Sequence, residues 1–102
     1  MQENSNPSSK NTMAIVHEMK TKLESHLTLD HFEVKDFTGR HLKHKLHEGG
    51  FHLEAVIVSD DFMSKNLVHR HRMVYEAMGG LMKHEIHALS MKTLTSDEWE
   101  NM

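Results

Sequence analysis

The chain has 102 residues, enough for one domain with a single modest core. Hydrophobic residues make up 37% and charged residues 26%, a balance typical of a folded globular protein and not of a disordered chain, and no apolar run approaches the roughly 20 residues of a membrane-spanning helix. The formal net charge of −3 gives the chain no overall attraction for a polyanion. The absence of cysteine excludes disulfides, a thiolate nucleophile and a metal cluster held entirely by the chain's own thiolates.

The first segment of the chain is polar. Residues 1–11 contain the single proline and lack both the apolar core of a secretory signal and the arginines of a transit peptide. We therefore expect a flexible tail over 1–11, followed by one domain over 12–102. Secretion is not expected, whereas the cytoplasm and the mitochondrion are both open as compartments.

Hydrophobic periodicity predicts a helix over residues 13–27 and then two strands. The apolar positions of the helix recur every four residues, at Ile15, Met19, Leu23 and Leu27. In the first strand Phe32 and Val34 alternate with charged residues, which indicates a half-buried strand. The second strand, residues 51–59, becomes apolar on both faces, which is typical of a central strand.

The second half of the chain predicts a longer helix, a third strand and a short helix. The longer helix runs from Lys65 to Met78 with Ser64 as its N-cap, and Leu67, His71, Val74 and Met78 lie on one face of it. A capping box of Thr95 and Glu98 starts the short helix. The third strand follows a helical crossover and should run parallel to its neighbour. The order α-β-β-α-(α)-β-α thus predicts an α+β fold, a three-stranded mixed sheet packed by helices.

Histidine is the unusual residue type, with 11 copies. Three of them, His41, His44 and His47, are spaced three apart in the long loop 38–50 between the first two strands. Long loops in compact domains are often functional, yet a solvated polar loop with adventitious affinity for divalent metals is the plainer interpretation.

His87 lies in the third strand, within the segment IHALSM. It shares parity with Leu89 and Met91, so alternation does not place it in solvent, and four roles stay open: packed core residue, catalytic base, nucleic-acid contact or metal ligand. The catalytic and nucleotide motifs GxSxG, P-loop, HExxH, CxxC and GxGxxG are all absent from the sequence. We do not expect an enzyme.

The helix that starts at Lys65 is the basic part of the chain. Lys65, Arg70 and Arg72 could contact phosphates or an acidic partner, although three basic residues are also consistent with a solvated helix face. His71 lies on the apolar stripe of the helix, and we assign it to packing.

Several of these segments together resemble the BolA family. The residues that carry the resemblance follow in the family's order: Val58-Ser59, Phe62, Arg70-His71-Arg72, Ile86-His87-Ala88-Leu89, and Thr95 with Glu98-Trp99. The resemblance covers about residues 13–100. It implies a fold like the class II K-homology (KH) domain, which agrees with the element order above.

The resemblance also implies a function and a site. BolA proteins work with monothiol glutaredoxins, and the two together bind a [2Fe–2S] cluster with glutathione, for cluster trafficking or iron sensing; the isolated chain would bind none. In this sequence His87 corresponds to a cluster ligand and His41 to the second ligand, with His44 and His47 as substitutes. Lys65, Arg70 and Arg72 become candidates for the contact with the partner. A homodimer of the apo form is left open.

Elementary chemistry is consistent with that implication. An iron of such a cluster accepts imidazole in place of thiolate, and a cysteine-free chain can supply one or two nitrogens if a partner supplies sulfur. Because imidazole can be protonated, the shared cluster would be labile and sensitive to acid.

Two other interpretations stay open. A nucleic-acid-binding transcriptional regulator would use the KH-like fold and the basic helix, but the net charge of −3 and the turn FMSKN, with Ser64 where the family often has glycine, disfavour it because nucleic-acid-binding KH domains use a G-x-x-G loop. The remaining interpretation is an interaction module whose histidines bind nothing. No membrane partner is expected.

Overall fold

The computed structural model describes residues 7–36, 51–84 and 86–102. The helices are α1 (Pro7–Glu24), α2 (Leu67–Met78), α3 (Leu81–His84) and α4 (Ser96–Glu100), the strands are β1 (His31–Asp36), β2 (Phe51–Val58) and β3 (Ile86–Leu94), and a 3₁₀ turn, Asp60–Phe62, precedes α2. None of the helices in these ranges is long and apolar enough to cross a membrane.

The strands form one mixed sheet in the order β1-β2-β3. β1 and β2 are antiparallel, and β2 and β3 are parallel. The predicted central position of the second strand and the predicted parallel third strand are therefore confirmed. This arrangement follows from connection length, because the helical crossover between β2 and β3 is long enough to return the chain to the same end of the sheet.

The core lies between one face of the sheet and the helices. The four predicted apolar positions of the first helix are all buried: Ile15, Met19, Leu23 and Leu27. They belong to one cluster with Val74 and Met78 of α2 and with Ile57 of β2. Burying each large apolar side chain of this kind contributes about 1.5–3 kcal/mol, so this cluster is what holds the helices on the sheet.

The boundaries of α1 differ from the prediction. The helix begins at Pro7 and ends at Glu24, whereas periodicity predicted residues 13–27, so residues 7–11 of the predicted tail are helical. Proline suits the first helical position because its missing N–H would have no intrahelical partner there. Apolar periodicity marks only the turns that face the core, and the early turns of α1 are polar.

The start of α2 also differs from the prediction. Its N-cap is Asn66, whose side chain accepts a hydrogen bond of 2.9 Å from the backbone N–H of His69. The predicted cap, Ser64, is wrong: this residue lies two positions earlier in the turn, with a φ of +64°. The capping box of Thr95 and Glu98 at α4 is confirmed.

Candidate metal-binding end of the sheet

The start of β3 lies at the same end of the sheet as the last residue of β1 and the first residue of β2. Phe51, the first residue of β2, pairs with Ile86, the first residue of β3. Asp36, the last residue of β1, pairs with Leu53, which in turn pairs with Leu89. Because neighbouring strands are about 4.8 Å apart, Phe51 lies beside the first residue of β3, and Asp36 lies two strands, about 10 Å, from Leu89. Asp36 and Phe51 are the residues that flank segment 37–50. His41, His44 and His47 belong to that segment and lie outside the described residues.

The backbone at His87 forms an irregularity in the β2–β3 pairing. Phe51 pairs with Ile86 and His52 pairs with Ala88, so His87 has no Cα partner in β2. Ile86 is 3% exposed and belongs to the core, whereas Ala88 is exposed. Such bulges re-aim the side chains of a strand and are over-represented next to active sites.

Because of this irregularity, the alternation of side chains along β3 does not determine which way His87 faces. Ile86 faces the core although it lies an odd number of residues from Leu89 and Met91, which also pack against the core. The parity of Leu89 and Met91 therefore does not extend back to His87, whose side chain lies outside the described part of the structure. Among the residues that the structure describes, no three His, Asp or Glu side chains converge on a site that could hold a metal ion.

The guanidinium of Arg70 is engaged within the domain. Its Nε donates to the backbone carbonyl of Lys65 (2.9 Å), and Nη1 donates to the carbonyl of Thr93 (2.9 Å) and to Oε1 of Glu98 (2.7 Å). Nη2 donates to Oε2 of Glu98 (3.2 Å), and the group lies over the ring of Phe62 at 5.9 Å. The side chain is only 13% exposed. Arg70 thus joins α2, β3 and α4, and the role predicted for it is better suited to Arg72, which is exposed, and to Lys65, which is half-buried.

The carboxylate of Glu98 is stabilised in its charged form by these contacts. The hydrogen bonds from Arg70, and after them the one from the backbone N–H of Thr95, lower the pKa of Glu98 from 4.5 to about 2. Hydrogen bonds and a cation that favour the carboxylate over the carboxylic acid produce this direction of shift. The pair therefore holds α4 through a charge-assisted, bidentate contact at neutral pH.

The outer surface of α2 carries a groove that the sequence analysis did not identify. We define the α2 groove by its lining residues, Val68, His71, Arg72, Tyr75 and Glu76, which border a depression of about 510 Å³ that is open to solvent. Val68 is 66% exposed and Tyr75 is 43% exposed. Leu67, at 60% exposure, was predicted to face the core, and this prediction is wrong. The spacing of Val68 and Tyr75, seven residues apart, was the sequence signal for a second apolar face.

His71 lies between the core and the groove. The residue is half-buried, in agreement with the packing role assigned to it, and it also lines the groove. Its Nε2 atom is buried and has no hydrogen-bond partner among the described residues. Buried polar atoms are nearly always paired, so this nitrogen calls for an explanation.

A family model, curated relatives and solved structures all match this chain to BolA-like proteins. A family model described as BolA-like protein matches residues 23–98. Protein BOLA2 of Arabidopsis thaliana is 37% identical over 89 residues, which cover 86% of this chain and 86% of that protein. The DNA-binding transcriptional regulator BolA of Haemophilus influenzae is 37% identical over 60 residues, which cover 59% of this chain and 58% of that protein. Among solved structures, the BolA domain of SufE1 from Arabidopsis thaliana matches with a TM-score of 0.71 and 36% identity, over 82% of this chain and 94% of that one.

Proposed function

The chain belongs to the BolA-like family, and from this premise we propose that it is an iron–sulfur accessory protein. In this proposal it pairs with a monothiol glutaredoxin, and the two chains share a [2Fe–2S] cluster as the cargo of trafficking or the signal of iron sensing. The family membership rests on the family model over residues 23–98 and on relatives such as Protein BOLA2. The compartment, cytoplasm or mitochondrion, and a homodimer of the apo form stay predictions.

The observation that carries the proposal is the backbone arrangement at the start of β3. The irregularity at His87 lies at the sheet end that contains Asp36 and Phe51, the residues that flank segment 37–50, and this supports a ligand pair of His87 and a histidine from that segment. His41 is the loop residue that the family pattern favours, and His44 and His47 are substitutes.

The side chains that this protein can offer to iron support a cluster that is shared between two chains. The chain has no cysteine and cannot supply a thiolate, so in this proposal it contributes one or two imidazole ligands, from His87 and the loop. The partner's cysteine and glutathione would supply sulfur. Neutral imidazole is the form that binds metal, so acid would release the cluster.

A reconstitution experiment tests this proposal. The protein is mixed with a monothiol glutaredoxin, glutathione, iron and sulfide, and visible absorption and circular dichroism are recorded for wild type, His87→Ala and His41→Ala. His26→Ala is a matched control, because His26 is exposed at the opposite end of the domain, near Thr28, whose N–H binds Asp61.

We expect a wild-type spectrum distinct from that of glutaredoxin alone, a changed spectrum for His87→Ala and no change for His26→Ala. The spectrum of His41→Ala shows whether that residue or one of the substitute histidines is the second ligand. A mixture whose spectrum never departs from that of glutaredoxin alone would refute cluster sharing.

A second candidate function is DNA binding, because a relative is named as a DNA-binding transcriptional regulator. The described surface of α2 supports it weakly: Arg70 is engaged by Glu98, and Arg72 is the one arginine of the helix that is exposed. A DNA titration at several salt concentrations decides between the two, since phosphate contacts by Lys or Arg make the affinity fall steeply with salt. Tight, sequence-selective binding would favour the regulator.

A further inference from the structure

The second residue of β2 places another histidine beside the start of β3. His52 pairs with Ala88, the residue that follows His87 in the chain. Because neighbouring strands are about 4.8 Å apart and successive residues of a strand about 3.3 Å, the Cα atoms of His52 and His87 lie about 6 Å apart. Neither periodicity nor the family resemblance singled out His52.

His52 lies on the face of the sheet that points away from the helices. Leu53, Ala55 and Ile57 are buried in the core cluster, whereas Glu54 is exposed. Successive side chains of a strand point to opposite faces, so His52 shares the outer face with Glu54. The core therefore does not require an imidazole at this position.

The irregularity in β3 lies directly opposite His52. Ile86 and Leu89 both pack with the core, so two residues, His87 and Ala88, separate two core-facing positions. Strict alternation would place one residue or three between them. A bulge sets two residues of one strand against one residue of its partner, and here it brings His87 and Ala88 together beside the start of β2. Ala88 is exposed and carries just a methyl group, so the residue paired with His52 adds little bulk on the outer face.

Two histidines on adjacent strands suit a transition-metal ion. Neutral imidazole is the commonest protein ligand for such ions and binds zinc, copper, iron and nickel. The metal–nitrogen bonds are about 2.0–2.1 Å long, and water fills the coordination positions that two imidazoles leave open. A single surface histidine binds weakly, whereas two imidazoles fixed on one sheet gain from their high effective concentration.

We infer that His52 and His87 form a two-imidazole site for a divalent transition-metal ion on the isolated chain. The site requires no partner protein, and it differs from the cluster pair because His52 stands in place of a loop histidine. One consequence rests on the proposed function: both sites use His87, so a divalent ion and the shared cluster exclude each other.

Calorimetric titration with Ni²⁺ in a buffer free of imidazole tests the site. The variants are His52→Gln, His87→Gln and the two combined, and the triple variant His41→Gln/His44→Gln/His47→Gln removes any affinity of the loop. His26→Gln is the matched control, because His26 is exposed at the opposite end of the domain. Ala88→Ile leaves both imidazoles in place and adds bulk beside His52. Far-UV circular dichroism checks that each variant is folded.

We expect His52→Gln and His87→Gln each to weaken Ni²⁺ binding by at least about tenfold. The combined variant should lose no more than the weaker of the two single variants, because both substitutions act on one site. Ala88→Ile should also weaken binding, whereas the loop variant and His26→Gln should stay within about twofold of wild type.

Paramagnetic broadening of amide NMR signals by Ni²⁺ gives a second measurement that does not depend on a substitution. Val58, at the far end of β2, lies about 20 Å along the strand from His52. The broadening should therefore be strong at Leu53 and Ala88 and weak at Val58.

Two results would overturn the inference. One is a His52→Gln variant that is folded and binds Ni²⁺ like wild type. The other is a loop variant that loses as much affinity as His87→Gln, because the ion would then be held by the loop. Failure of the proposed function is distinguishable: a wild-type chain that shares no cluster with glutaredoxin refutes that proposal and leaves these dissociation constants unaffected.

Discussion

Ser64 occupies a backbone conformation that favours glycine, and replacing it should stabilise the protein. Its φ of +64° places it in the left-handed region, which costs a residue with a Cβ roughly 1–2 kcal/mol. The side chain is exposed, and its hydroxyl makes no hydrogen bond within the described residues, so little is lost with it. Against this gain, glycine lowers the free energy of unfolding by about 0.4–1 kcal/mol, because it increases the conformational entropy of the unfolded chain.

The balance predicts that Ser64→Gly raises the free energy of unfolding by about 0.5–1 kcal/mol, or about 3–6 °C in Tm for a domain of this size. Urea unfolding followed by Trp99 fluorescence measures the change. Ser64→Ala keeps the Cβ and should give no gain.

Ser90→Gly is the matched control, because Ser90 is exposed in the extended backbone of β3. There the same chemical change should lower stability by about 0.5–1 kcal/mol, since glycine loses more entropy on folding and no left-handed strain is relieved. A loss of stability in Ser64→Gly similar to that in Ser90→Gly would refute the reasoning from φ.

The other predictions concern Glu98 and His71. Because the folded pKa of Glu98, about 2, is below its usual value of 4.5, its contribution to stability is complete above about pH 5 and is lost as the pH falls toward 2. Glu98→Gln should therefore be less stable than wild type at pH 7, with a difference that shrinks between pH 5 and pH 2 in urea titrations; a difference independent of pH would contradict the role of the Arg70 contact. His71→Leu should raise the free energy of unfolding by about 1 kcal/mol, because it removes a buried, unpaired nitrogen in exchange for an apolar side chain. A destabilised His71→Leu variant in the same assay would show that Nε2 has a partner in solution.

The sequence by itself determined the elements and most of the core. The four-residue repeat of α1, the alternation of Phe32 and Val34 and the capping box at Thr95 are local patterns, and each is confirmed because hydrogen bonding and burial at these sites depend on nearby residues. The order of these elements, together with the length of the crossover, was enough to predict the mixed sheet. The family was also recognisable from short motifs in their order along the chain.

Tertiary structure decided the features that depend on distant partners. The irregular pairing at His87 arises from the register between β2 and β3, and no pattern within β3 predicts where two strands slip. Arg70 and Arg72 look equivalent in sequence, yet only Arg70 meets Glu98 and Thr93, which follow it by 28 and 23 residues. Leu67 fits the apolar stripe of α2 but lies beyond the reach of the core. Each of these outcomes is set by contacts that exist only once the sheet and the helices have packed, which is why local patterns do not contain them.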